Sequence, residues 1–130
     1  MNEAKKMLLN QNREKVEMEE GRLMAWDTAE KQRFINIGFC KGKVVQVEKH
    51  LQPRFDIFIR LVEDKRNELG KPIDAWSEPI DPMSTVEKSS VSFAWKRSKD
   101  IVTATYTEFK HNNQLSVNFE TQNSCWKTRY

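Results

Sequence analysis

The sequence predicts an α+β domain, with helices first and a curved antiparallel sheet last. Three observations predict it. Good helix formers crowd residues 2–20. Residues 83–130 contain neither Gly nor Pro. That same tail alternates apolar and polar residues at every second position, as a strand with one buried face does.

The totals fit one folded domain spanning 1–130. The chain has 130 residues, of which 38% are hydrophobic and 32% charged, with four Gly and four Pro. Such counts exclude a collagen-like chain, a low-complexity chain, a disulfide-rich miniprotein and a highly charged disordered tail. The net charge of +3 is unevenly spread: residues 21–70 and 91–130 are each +3, residues 71–90 are −2, and residues 1–20 are −1. No block of like charge is long enough to form an interaction tail.

Each element has its own signal. In residues 2–20, Ala4, Met7, Leu8 and Met18 give a thin apolar stripe, read as a helical segment ordered by a partner or buried along one edge. Asp27-Thr28-Ala29-Glu30 has capping-box spacing and opens a second predicted helix to Ile37, with Gly38 as its stop. Lys43 to Val47 reads as a short strand. Residues 53–69 fit both periods, but Glu63 to Leu69 is strongly helix-forming and Gly70-Lys71-Pro72 is a stop, so the segment is predicted helical. Residues 70–88 hold three of the four prolines and read as an extended connector.

Residues 89–130 are predicted as a four-strand β-meander. Val91, Phe93 and Trp95 alternate with polar partners, and Ile101 to Phe109 is rich in Thr and Tyr. Leu115, Val117 and Phe119 share a face. Ser98-Lys99-Asp100 and His111-Asn112-Asn113 supply turns. A last strand is expected from Cys125 to Tyr130. This order of elements resembles the NTF2-like cone fold, which would imply helices packed on a curved sheet. Element order alone implies no activity.

Cys40 and Cys125 lie 85 positions apart and form no Cys-x-x-Cys pair. They are read as two free thiols in a reducing compartment, with one long-range disulfide as the alternative in a secreted context. Met7 to Leu9 is too short for a signal peptide or a membrane span. The expectation is a cytoplasmic protein without a membrane segment.

Several chemistries lack a signal. No phosphate-binding glycine loop, nucleophile elbow or catalytic-cysteine signature is present. His50 and His111 are single, so no metal site is expected, and no cofactor is implied. A carboxylate enzyme remains as a minor reading, with Asp56, Glu108, Tyr106 and His111 lining the open end of a cone. Its alternative for Asp56 is an exposed helix carboxylate paired with Arg60.

Binding draws more support. A protein partner is expected at Trp76 and Ile80 in the connector and at Met7 and Leu8 in the first helix, which also suggests a homodimer. The leading reading is a non-enzymatic accessory, inhibitor or immunity-type protein that docks on another macromolecule. The runner-up is a single-stranded nucleic-acid module using Trp95, Lys96, Arg97, Lys110, Trp126, Lys127 and Arg129, since bases stack on aromatics while Lys and Arg meet phosphates. The bland alternative is aromatics in the core and bases in solvent, because neighbours in a strand point to opposite faces. A third reading is a pocket enzyme or small-ligand carrier.

Overall fold

The computed structural model describes residues 13–19, 22–27, 34–79, 88–110 and 112–126. They form strands β1 (Arg13–Glu19), β2 (Arg22–Asp27), β3 (Phe34–Cys40) and β4 (Lys43–Leu51), helix α1 (Phe55–Leu69), and strands β5 (Asp74–Glu78), β6 (Lys88–Arg97), β7 (Asp100–Phe109) and β8 (Asn112–Thr121). The strands make one sheet in the order β1-β2-β3-β4-β8-β7-β6-β5. Every neighbouring pair is antiparallel. The architecture is therefore two four-strand meanders joined by a helix. α1 carries the chain from β4 to the far edge at β5, and the second meander returns until β8 pairs with β4.

Helix α1 forms as its sequence predicts. Arg54, extended at φ −111°, precedes it, and Gly70 at φ 87° ends it with its N–H on the Arg66 carbonyl. Glycine suits that position because its positive φ is one that residues with a Cβ rarely adopt, although the space around it is open. Phe58, Leu61, Val62 and Leu69 pack on the sheet. The core around Phe58 contains Trp95 of β6, Ala104 and Tyr106 of β7 and Leu115 of β8. Register explains this grouping, because Trp95 pairs with Val102, and Tyr106 pairs with both Val91 and Leu115. The alternation in the tail sequence is thus the alternation of a helix-covered face.

The structure changes five expectations. Residues 13–19 are strand β1, not helix; the rest of the predicted segment 2–20 lies outside the described residues. Val16 and Met18 alternate with Lys15, Glu17 and Glu19, and pairing with β2 overrides helix propensity there. The helix predicted from Asp27 to Ile37 is likewise replaced, since Asp27 ends β2 and Phe34–Cys40 is β3. The β-branched and aromatic residues of β3 favour a strand once neighbours are available on both sides. Residues 28–33 lie outside the described residues.

The third change is in the connector, where Asp74–Glu78 pairs with β6 as the edge strand β5. Prolines 72 and 79 bracket that strand without interrupting it. Fourth, residues 124–126 bend away after β8 instead of starting a strand, while 127–130 lie outside the described residues. Lastly, Cys40 and Cys125 are joined in a disulfide and are not free thiols. Folding back of the segment after β8 brings residues 85 positions apart to a Cα separation of 5.7 Å, a distance that sequence spacing cannot reveal. No helix among the described residues is long and apolar enough to cross a membrane.

Candidate functional site

Strand register gathers basic residues at one end of the sheet. β3 and β4 meet at Lys41 and Gly42, with φ of 52° and 79°, while β6 and β7 meet at Ser98 and Lys99. Cys40 pairs with Lys43, Gln46 with Glu120, Thr121 with Asp100 and Asp100 with Arg97, so both hairpin tips lie at the same end. Helix α1 finishes there too, because the Trp95 indole N–H donates to the Gly70 carbonyl at 3.1 Å. Lys41, Lys43, Lys96 and Lys99 are exposed around this end, and Lys71 follows the helix.

Beside the helix an open cleft of about 390 Å³ is lined by Val44, Val45, Val47, Lys49, Arg97, Asp100, Phe119 and Thr121. Three cations from three elements gather on the half-buried Phe119 ring. The Arg97 guanidinium is 4.9 Å from its centroid, Lys65 Nζ of α1 is 5.5 Å away and Lys49 Nζ of β4 is 6.0 Å away. The negative ring face attracts each of them.

Two carboxylates answer the three charges. Lys65 pairs with Glu68 at 3.2 Å, and Arg97 with Asp100 at 3.0 Å. Asp100 also accepts a 2.6 Å bond from the Thr121 hydroxyl. That bond first, and Arg97 second, hold the Asp100 carboxyl below the ordinary value and keep it ionised. Lys49 is exposed and has no ion-pair partner among the described residues. The site therefore offers one cation in surplus beside an apolar wall, which is a chemistry for holding an anion next to an apolar group.

The residues expected to bind nucleic acid do not converge. Trp95 is fully buried and bonded to Gly70, so it offers no stacking face. Lys96 and Arg97 lie at the basic end, whereas Lys110 follows β7 at the opposite end. Trp126 is half-buried; its indole N–H donates to Glu120 at 2.7 Å, and its ring lies over Gly38. Lys127 and Arg129 lie outside the described residues.

Of the residues expected to meet a protein partner, Trp76 is half-buried in β5 opposite Ser92. Ile80, Met7 and Leu8 lie outside the described residues.

The acid–base set is dispersed as well. Asp56 is exposed and is held by Arg54 at 2.6 and 3.0 Å, not by Arg60. Glu108 is exposed, and Tyr106 is buried against Phe58 with its hydroxyl accepting from Asn113. His111 lies outside the described residues. His50 bonds Glu48 at 2.8 Å. Among the described residues no three of His, Cys, Asp and Glu gather as a metal site requires.

Sequence reasoning missed Lys49, Lys65 and Phe119. They sit on different elements, and only register and helix placement bring them together. The one local signal was Lys41-Gly42-Lys43, a glycine turn flanked by bases. Comparisons with protein-family models, curated proteins and solved structures return no match.

Proposed function

We propose that this chain is a small non-enzymatic binding protein, of accessory, inhibitor or immunity type, that docks on an acidic macromolecule through the basic end of its sheet. One observation carries the proposal: two hairpin tips, a helix end and a cation-rich cleft share that end, with Lys49 left without a carboxylate partner among the described residues. Complementary charge steers such encounters and sets their salt dependence.

The test is the affinity of the protein for capped polyglutamate, measured by fluorescence anisotropy over a salt series. Binding should weaken as salt rises. The double variant Lys96→Glu, Lys99→Glu should lower affinity about tenfold, while Lys88→Glu at the opposite end should leave it within about twofold. No binding at ~50 mM salt would sink the proposal.

Single-stranded nucleic acid draws on the same lysines, but Trp95 is buried and unavailable for stacking. A pocket enzyme or small-ligand carrier on a cone-like, NTF2-like fold has less support: the helix–sheet interface is filled by Phe58, Trp95 and Leu115, and Asp56 lies in solvent. Dimerisation through an N-terminal helix has less support, since Arg13–Glu19 is a strand.

The cytoplasmic expectation draws on free thiols as well as on the short apolar run Met7–Leu9. A bonded Cys40–Cys125 pair favours an oxidising compartment instead. Thiol titration of the denatured, unreduced protein checks this, with no free thiol expected.

A further inference from the structure

We infer that the cleft over Phe119 reads an acidic side chain together with an adjacent apolar one, in an extended segment of a partner protein. The inference rests on the docking reading above and names what the basic end selects.

The cleft has two unlike walls. Val44, Val45 and Val47 present apolar surface, and Val44 is left 51% exposed. Lys49 and Arg97 present charge. Val47 and Lys49 are two apart on one strand and so share a face. Phe119 pairs with Val47 directly, which sets its ring between the two walls. A carboxylate near Lys49 thus lies within a side chain's reach of the valine strip. A volume of about 390 Å³ is in the range of sites that hold small groups.

Two features favour a peptide over a nucleic acid. A nucleobase needs an open aromatic face for stacking, and three cations already gather about the Phe119 ring. Asp100 also lines the cleft, so its negative charge opposes a strongly anionic phosphate chain more than a single carboxylate. The surrounding lysines then accept further acidic residues of the same segment.

Anisotropy with three probes tests this: a capped decapeptide alternating Glu and Leu, capped polyglutamate, and a short oligothymidylate. The Glu-Leu peptide should bind the wild type more tightly than either other probe. Lys49→Gln should weaken it about tenfold, since a charge-assisted contact is lost. Val44→Ser should weaken it a few-fold and leave polyglutamate nearly unchanged. Both positions are exposed, so thermal melting should stay close to wild type. Lys49→Met, which keeps the stem without the charge, should behave as Lys49→Gln.

Unchanged Glu-Leu affinity in Lys49→Gln and Val44→Ser would overturn the cleft. If Lys96→Glu, Lys99→Glu still lowered polyglutamate affinity about tenfold, the docking reading would stand without it. Preference for oligothymidylate would replace the peptide by nucleic acid. Failure of every acidic peptide to bind at ~50 mM salt would remove both proposals.

Discussion

The Trp95 indole N–H donates to the carbonyl of Gly70 at 3.1 Å, tying the turn-ward end of β6 to the residue that ends α1. The ring itself is fully buried and packs near Phe93, with centroids 6.3 Å apart. One side chain thus fills the core and satisfies a carbonyl at the helix terminus, where backbone acceptors lack intrahelical partners. It also fixes the helix end beside the basic hairpin tips.

Trp95 should accordingly be the most sensitive aromatic in the described core. Trp95→Phe keeps most of the volume but orphans the Gly70 carbonyl, and should cost about 1–3 kcal/mol. Trp95→Ala adds a cavity and should cost about 3–5 kcal/mol. Urea unfolding checks both. A Trp95→Phe loss near zero would show that the indole N–H contributes little beyond its ring.

The Cys40–Cys125 bond closes a loop with a sequence separation of 85. Chain-entropy reasoning puts its stabilisation at about 3–5 kcal/mol. The double variant Cys40→Ser, Cys125→Ser should lower the denaturation midpoint accordingly. It should also loosen the segment held by Asn123, whose side chain accepts from the backbone N–H groups of Cys125 and Trp126. Faster amide exchange at those two N–H groups is the expected signature.

Gly38 is required by close approach. A Cβ built there would lie 3.0 Å from Trp126 Cη2 and 3.1 Å from Gln46 Cβ. Gly38→Ala must therefore displace the Trp126 ring and strain its bond to Glu120. A loss of about 1–3 kcal/mol is expected, as for other overpacked sites. A simultaneous Trp126→Leu change should recover part of that loss, which a purely backbone effect at Gly38 would not permit.

Asp100 should impose acid sensitivity on the turn that carries Arg97. Its carboxyl is held below the ordinary value by the Thr121 hydroxyl and then by Arg97. A carboxylate depressed in the folded state contributes stability that is fully present above the unfolded value of about 3.9. That contribution is lost as pH falls through the lower folded value. Asp100→Asn should thus melt below wild type near neutrality, with the gap narrowing below about pH 4. A gap that persists unchanged into acid would assign the effect to shape instead of charge.

Much of the second half of the fold was legible because its signals are local. Gly70-Lys71-Pro72 stops α1, and the alternations in β6 and β8 name the helix-covered face before any partner strand is known. The first half misled for a physical reason. Residues 13–19 and 34–37 have no strong local commitment, and neighbouring strands supply backbone partners that helix propensity cannot outweigh. The candidate site was hardly legible at all. Lys49, Lys65, Arg97 and Phe119 come from four elements, and no spacing along the chain unites them.

An α+β domain, the one helix described, its glycine stop and the strand faces of the tail can be read from the chain before it folds, because all of them follow from short-range periodicity and turn chemistry. That the early described segments are strands, that the cysteines are joined, and that scattered lysines share one end emerges only when the chain is folded. Those three depend on pairing register and on a crossing helix, and such long-range contacts leave no period in the chain.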